Sequence, residues 1–148
     1  MGKLIIVSNR LPVTVSKNKS KFSFQPSVGG LVTGVSSLDM TQEQIWIGWP
    51  GITLSGFSRK SDSIELKQKL SEQNYRPVFL KRNDFENYYQ GFCNEVIWPL
   101  FHYFAQYANY QKKYWDSYKR VNEAFSKEVL EVANDDDVIW IHDYHLML

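Results

Sequence analysis

Arg10 is the first residue of this sequence whose type and position suggest chemistry. It stands with Ser8 and Asn9 directly after the apolar run Leu4–Val7. The guanidinium of arginine is a planar fork of hydrogen-bond donors, and this geometry suits a phosphate group. A surface arginine that follows a core strand is the open alternative, because arginine side chains are mostly exposed in proteins.

Asp143 is the second such residue. The apolar run Val138–Ile141 ends in a polar group that contains His142, Asp143 and His145. Two histidines and an aspartate could bind a metal, but the sequence offers only the distant His102 as a third histidine and no cysteine nearby. We therefore expect no metal here, and we interpret Asp143 as a carboxylate that accepts hydrogen bonds from ligand hydroxyls.

Three aromatic residues combine a flat face with a polar group, as a sugar platform requires. Trp49 follows a predicted strand, whereas Tyr89 and Trp98 lie near opposite ends of a predicted helix. Tyrosine and tryptophan bury apolar area while the O–H or N–H group still finds a partner. For Trp49, the alternative is a core tryptophan beneath a Pro-Gly turn.

Gly29 and Gly30 precede a segment in which Leu31, Val35 and Leu38 recur at helical spacing. The glycine pair is therefore predicted at a helix N-terminus, where exposed N–H groups and the helix dipole favour a diphosphate. A simple turn is the alternative, because the sequence matches neither the Gly-x-Gly-x-x-Gly dinucleotide pattern nor a P-loop.

Four predicted strands position most of these candidate residues. Strands are predicted at Leu4–Val7, Ile45–Gly48, Tyr75–Leu80 and Val138–Ile141. Runs with almost no polar residue are typical of parallel strands that are buried on both faces. Such sheets bind ligands beyond the carboxyl ends of their strands, so Arg10, Trp49 and Asp143 are expected on one rim.

Helices are predicted between the strands, together with one hairpin. The first helix is predicted at residues 63–70, with Ile64 and Leu70 on one face. The second begins at Asn83 or Asp84, and Pro99 stops it at or just after Trp98. The third covers Tyr110–Ala133. Val13–Ser16 and Lys21–Phe24 alternate apolar and polar residues, which predicts a solvent-facing hairpin at the edge of the site. The fold class is therefore α/β, with a mainly parallel sheet, flanking helices and an edge hairpin.

The length and the charge narrow the possible partners. The 148 residues correspond to one domain, and 17 basic residues against 16 acidic ones leave no field that would attract nucleic acid or a membrane surface. Cys93 is the only cysteine, which excludes an internal disulfide and a cysteine-based metal cage. We find no signal peptide and no membrane-spanning run, so a cytoplasmic protein is expected.

Five motifs in order resemble those of trehalose-6-phosphate synthases. They are Ser8–Pro12, Gly29–Leu31, Gly48–Trp49, Tyr88–Tyr89 with Trp98–Pro99, and His142–Leu146. The resemblance implies a retaining, metal-independent glycosyltransferase without a cofactor, in which two Rossmann-like domains face a cleft in the GT-B arrangement. Residues 1–148 would be the N-terminal, acceptor-side domain, and the donor-binding domain would lie beyond Leu148.

The resemblance also implies roles for individual residues in the transfer of glucose from UDP-glucose to glucose 6-phosphate. Arg10 would bind the acceptor phosphate, Tyr89 and Trp98 would enclose the acceptor, and Trp49 would line the same pocket. Gly29 and Gly30 would contact the donor UDP-glucose. Asp143 would hold acceptor hydroxyls and orient the attacking oxygen, as the catalytic residue. His145 matches the motif, but the resemblance assigns it no role.

The sequence has an unusual end, because the last predicted strand has no helix to cover it. The chain is therefore expected to be truncated: it should bind the acceptor without transferring glucose, and the complete enzyme could be a homo-oligomer. A non-catalytic, sugar-phosphate-binding regulatory module is the alternative. A second α/β domain with basic donor ligands after Leu148 would distinguish the enzyme from the module.

Overall fold

The computed structural model describes residues 2–19, 21–27, 30–31, 34 and 42–148. A parallel sheet has the strand order β5-β4-β1-β6, and a separate antiparallel hairpin pairs β2 with β3. The strands are β1 (Leu4–Arg10), β2 (Val13–Asn18), β3 (Lys21–Pro26), β4 (Gln44–Trp49), β5 (Tyr75–Pro77) and β6 (Val138–Ile141). The predicted α/β class with a parallel sheet and an edge hairpin is confirmed.

The helical elements follow the predicted positions with shifted bounds. They are α1 (Lys60–Ser71), α2 (Arg82–Phe85), a π-helix (Glu86–Ile97), α3 (Trp98–Phe101) and α4 (Lys112–Val132), with 3-10 turns at Leu54–Gly56, Ala105–Tyr107 and Tyr144–Leu146. Gly30, Leu31 and Gly34 are also helical. Within the described part of the chain, no helix combines the length and the apolar character that crossing a bilayer requires.

The central strand β1 is buried on both faces. Ile5 and Val7 pack in one core with the π-helix and α4, whereas Leu4 and Ile6 pack in a second core with α1 and the hairpin. Successive side chains of a strand point to opposite faces, so an unbroken apolar run serves two layers of helices. This arrangement explains why the run shows no polar alternation.

Pro99 does not stop the helix, and that prediction was wrong. The helix continues through α3 to Phe101. Proline ends an α-helix because its ring clashes with the carbonyl four residues earlier. Here the preceding turn is π-helical, and the N–H of Trp98 bonds to the carbonyl of Cys93, five residues back. The wider turn changes where those carbonyls lie relative to the proline ring.

Two further boundaries differ from the prediction. The strand predicted over Tyr75–Leu80 ends at Pro77, and its pairing with β4 closes with a hydrogen bond of 2.9 Å from the Val78 N–H to the Gly48 carbonyl. Ile64 was expected on the buried face of its helix, but it is exposed, and Leu66 and Leu70 line the core instead. The position one turn before Leu66 belongs to Asp62, a buried carboxylate.

β6 was expected to be a buried strand, but all four of its residues are 41 to 55% exposed. It pairs with β1 along one edge and forms the end of the described sheet. Its apolar composition therefore does not reflect burial by the described residues.

Candidate functional site

A cavity of about 320 Å³ opens at the carboxyl ends of β1 and β6. Its walls are residues 8–11 at the end of β1, Thr14 and residues 25–27 of the hairpin, Leu31, and His142, Asp143 and His145 after β6. The sheet is parallel, so these two strand ends meet at one rim. Arg10 and Asp143 thus line the same cavity, as their positions in the sequence predicted.

Arg10 is exposed at a point where the β1–β4 pairing changes register. The shift falls between Val7 and Arg10, and Arg10 then pairs with Trp49. The hydroxyl of Ser8 donates to the Arg10 carbonyl at 2.7 Å and accepts from the Trp46 indole N–H at 2.7 Å. Such irregularities re-aim a side chain. The backbone below the guanidinium is therefore fixed by buried contacts.

Trp49 occupies the core and does not line the cavity. It is 4% exposed, its ring stacks on Phe85 at 4.2 Å, and its indole N–H donates to the Ile52 carbonyl at 3.0 Å. The Arg10 guanidinium carbon lies 4.9 Å from the centre of the Trp49 ring, within cation–π distance. The core placement that the sequence left open is thus realised, and Trp49 supports Arg10 from below.

Asp143 has a backbone conformation that is rare for any residue with a side chain. Its φ of 74° and ψ of 164° lie in a region that glycine almost alone occupies. Its Oδ1 accepts from the Tyr144 N–H at 2.7 Å, and the preceding residue, His142, donates its N–H to the Val7 carbonyl at 2.8 Å. Strain of this kind persists only where surrounding contacts over-determine it.

Helix α4 supplies those contacts from beneath the loop. The Tyr118 hydroxyl donates to the Tyr144 carbonyl at 2.8 Å and accepts from the Met147 N–H at 3.1 Å. The Asn122 amide donates to the His145 carbonyl at 3.3 Å. Two α4 side chains one turn apart therefore hold the loop that carries Asp143.

Tyr89 and Trp98 lie on a row of aromatic rings that passes beside the cavity. The row runs from Trp49 through Phe85, Tyr89, His145 and Tyr144 to Trp98, with successive ring centroids 4.2, 5.4, 5.7, 4.3 and 6.1 Å apart. Neither Tyr89 nor Trp98 lines the cavity itself, but His145 does. Trp98 is 49% exposed at the far end of the row. The row therefore connects the aromatic residues that the sequence singled out.

Burial governs the protonation of the groups around the cavity. It lowers the pKa of His145, against the opposing charge of Asp143, and it raises the pKa of Tyr144 to about 12. Burial also raises the pKa of the Cys93 thiol well above its usual range, which excludes a reactive thiolate there. Taking only the residues that the structure describes, no three His, Cys, Asp or Glu side chains could hold a metal ion together.

The hairpin supplies cavity residues that sequence reasoning missed. The hydroxyls of Thr14 and Ser27 lie 2.9 Å apart, and Ser27 donates to the Leu11 carbonyl at 3.0 Å. The alternating pattern placed the hairpin beside the site but did not indicate which of its polar residues turn inward.

The glycine pair is only partly described. Gly29 lies outside the described residues, as do Val35 and Leu38 of the predicted helix, while Gly30 is helical and exposed. Among the described residues, none has an atom within 4 Å of a Cβ placed on Gly30, leaving aside its chain neighbours and its own helix backbone. Leu31, the next residue, lines the cavity, so Gly30 lies close to the site that contains Arg10.

A family model and the most similar known proteins indicate the same family for this chain. The model of glycosyltransferase family 20 matches residues 2–148. The chain is 40% identical to a UDP-forming alpha,alpha-trehalose-phosphate synthase of Candida albicans over 99% of its length and 30% of that protein. A bifunctional trehalose-6-phosphate synthase/phosphatase of Thermoproteus tenax is 41% identical over 99% of the chain, which covers 20% of that protein. The chain thus spans about a third or less of these relatives.

A solved structure shows the same similarity in three dimensions. The alpha,alpha-trehalose-phosphate synthase of Burkholderia xenovorans, in complex with glucose-6-phosphate, superposes with a TM-score of 0.69 at 34% identity. The superposition covers 98% of this chain and 29% of that one.

Proposed function

The chain belongs to glycosyltransferase family 20, and from that premise we propose that it is the acceptor-binding domain of a retaining glycosyltransferase. The proposed reaction transfers glucose from UDP-glucose to glucose 6-phosphate and gives trehalose 6-phosphate and UDP. The observation that supports it is the cavity that Arg10 and Asp143 share at the carboxyl ends of β1 and β6.

Arg10 suits the phosphate of the acceptor. Its side chain is exposed at the cavity, and within the described part of the chain it forms no ion pair with any carboxylate. A dianionic phosphate can therefore take both arms of the guanidinium in a charge-assisted, bidentate contact. The ring of Trp49 beneath the guanidinium limits its freedom, so less entropy is lost when the phosphate binds.

Asp143 suits the hydroxyls of the acceptor. Its Oδ1 accepts from the Tyr144 N–H, and the residue lines the cavity. A carboxylate in a fixed orientation can hold a hydroxyl and align its oxygen for attack on the donor. Among the described residues that line the cavity, Asp143 is the single carboxylate, so they do not supply the pair of acids that retaining glycosidases use. Part of the chemistry is therefore assigned to the donor diphosphate itself.

We assign the binding of the donor, UDP-glucose, to the glycine pair and to a second Rossmann-like domain beyond residue 148. No described side chain occupies the position that a Cβ atom of Gly30 would take, so a diphosphate can approach the backbone there. Tyr89 and Trp98 are assigned to enclose the acceptor from the aromatic row beside the cavity, whereas Trp49, which is buried in the core, is assigned to support Arg10. The cytoplasmic location and the homo-oligomer of the complete enzyme belong to the same proposal.

Thermal unfolding of the 148-residue chain with glucose 6-phosphate, glucose and inorganic phosphate tests the acceptor site. A ligand that binds only the folded form at a hundredfold excess over Kd adds about 2.7 kcal/mol of stability. We expect a clear rise in Tm with the sugar phosphate alone. No rise with glucose 6-phosphate, or equal rises with glucose and with phosphate, would contradict the assignment.

The transfer reaction tests the second domain. Catalysis requires both sugars in one geometry and an electrostatic clamp on the leaving diphosphate. The 148-residue chain should therefore release no UDP from a mixture of UDP-glucose and glucose 6-phosphate. Release of UDP by this chain alone would overturn the two-domain assignment.

A further inference from the structure

His145 lies at the point where the aromatic row meets the cavity. It is 8% exposed, and its ring stacks between Tyr89, at 5.7 Å and 16°, and Tyr144, at 4.3 Å and 23°. It also lines the cavity with Asp143. One side chain thus contacts both the ring and the carboxylate that the proposed function assigns to the acceptor.

The Nδ1 atom of His145 is buried and, within the described part of the chain, has no hydrogen-bond partner. Oδ2 of Asp143, an acceptor, lies 3.6 Å from this nitrogen. A buried polar atom without a partner is costly, and native structures rarely leave one unused. Hydrogen bonds of a catalytic site are often long in the unliganded protein and shorten when the substrate binds.

We propose that His145 is a positioning residue, whose Nδ1 carries the ring proton towards Oδ2 of Asp143 and donates it to that oxygen in a hydrogen bond when the acceptor binds. This inference rests on the proposed function, because it concerns the same acceptor site. With Oδ1 already bonded to the Tyr144 N–H at 2.7 Å, a second bond to Oδ2 leaves the carboxylate no freedom to rotate. The remaining lone pairs of both oxygens then face the cavity.

The protonation state of His145 agrees with this role. Burial lowers its pKa, so the ring is neutral near pH 7 and carries one N–H. A neutral ring has to place that N–H on Nδ1 to serve Asp143, which leaves Nε2 as an acceptor.

Two variants separate the effect of the hydrogen-bond donor of His145 from the effect of its ring. His145→Asn keeps an N–H near the position of Nδ1 but removes the ring, whereas His145→Phe keeps a stacked ring without a donor. Calorimetry with glucose 6-phosphate should show binding weakened about tenfold or more in the Phe variant, in line with the loss of a hydrogen bond to a charged group. The Asn variant should remain within about threefold of the wild type.

Phe125→Leu is the matched control, because Phe125 is buried in the same core and does not line the cavity. It should lower Tm without changing the affinity, which separates general destabilisation from loss of positioning. Equal affinities of the Asn and Phe variants for glucose 6-phosphate would overturn the proposal, since the N–H group at position 145 would then contribute nothing to binding.

Imidazole nitrogen NMR of the wild-type chain tests the tautomer of His145 without any ligand. We expect the signals of His145 to show a protonated Nδ1 and a bare Nε2, and to shift in Asp143→Asn. A protonated Nε2 with a bare Nδ1 would overturn the proposal. This measurement decides the tautomer even if glucose 6-phosphate fails to bind, so the two proposals can fail separately.

Discussion

Lys17 and Asp62 form a buried ion pair that joins the β2–β3 hairpin to the first turn of α1. Their side chains are 6% and 1% exposed. Asp62 also accepts from the backbone N–H groups of Ser58, at 3.0 Å, and Arg59, at 2.9 Å. The hairpin that forms one wall of the cavity is thus tied to an element on the same side of the sheet.

Asp62→Asn should lower Tm by several degrees, because the amide leaves the Lys17 ammonium buried without its counter-charge. The double variant Lys17→Met with Asp62→Asn should be less destabilised than Asp62→Asn alone, since it leaves no buried charge unpaired and keeps an oxygen that accepts from the Ser58 and Arg59 N–H groups. Thermal unfolding of the set measures this. A double variant that melts below Asp62→Asn would contradict the argument.

The same ion pair gives the stability a pH dependence. The hydrogen bond from Lys17 holds the pKa of Asp62 well below its usual range. A group whose pKa is lowered by folding contributes its stability above its unfolded pKa, about 3.9 for aspartate, and loses it as the pH falls further. Urea unfolding between pH 5 and pH 2 should therefore show a steeper loss of stability in the wild type than in Asp62→Asn.

Arg10→Ala should weaken the binding of glucose 6-phosphate by at least tenfold, because a hydrogen bond to a charged group contributes about 1.5–3 kcal/mol. UDP-glucose does not use this phosphate contact, so its binding to the complete enzyme should be weakened far less than that of glucose 6-phosphate. Calorimetry with both sugars measures the difference. An equal loss for both would place the phosphate elsewhere.

The unusual backbone conformation of Asp143 allows a test of backbone strain. Asp143→Gly and Asp143→Ala both lose the carboxylate, but only glycine adopts the φ of 74° and ψ of 164° without strain. The Gly variant should therefore be more stable than the Ala variant by about 1–3 kcal/mol in chemical denaturation. Similar stabilities would mean that the loop relaxes in the Ala variant.

Asp143→Asn tests the catalytic role. The amide keeps the shape of the carboxylate but loses the negative charge that orients a hydroxyl. In the complete enzyme, we expect much lower turnover with most of the substrate binding and the fold retained. Wild-type turnover at saturating substrate would exclude a catalytic role for Asp143.

Gly30→Ala should leave Tm unchanged or slightly raised, because the added methyl group meets no atom of the described part of the chain within 4 Å and alanine favours a helix. If a diphosphate contacts this backbone, the methyl group will occupy its space. UDP-glucose should then bind the complete enzyme more weakly, while glucose 6-phosphate binding to the 148-residue chain stays constant. Unchanged UDP-glucose affinity would remove Gly30 from the donor site.

The positions of Arg10 and Asp143 were predictable because each follows an apolar run that is long enough to be a strand. Parallel pairing then places both strand ends at one rim, whatever lies between them in the chain. Local sequence therefore contains most of what determines this part of the site.

The contributions of Asp62 and His145 were not predictable in the same way. Asp62 is buried because its partner, Lys17, comes from a hairpin 45 positions away, and nothing local distinguishes it from a solvated helix carboxylate. His145 acquires its neighbour Tyr89 only when the π-helix packs beside the loop after β6. Pro99 likewise follows a π-helical turn that the apolar spacing did not reveal.

The exposed edge of β6 has a colloidal consequence. Val138–Ile141 presents four apolar side chains and an open hydrogen-bonding edge at the end of the described sheet. Such an edge is a template for strand pairing between molecules. The 148-residue polypeptide should therefore self-associate as its concentration rises. Light scattering measures the concentration at which association begins, and ligand affinities measured below it are those of the monomer.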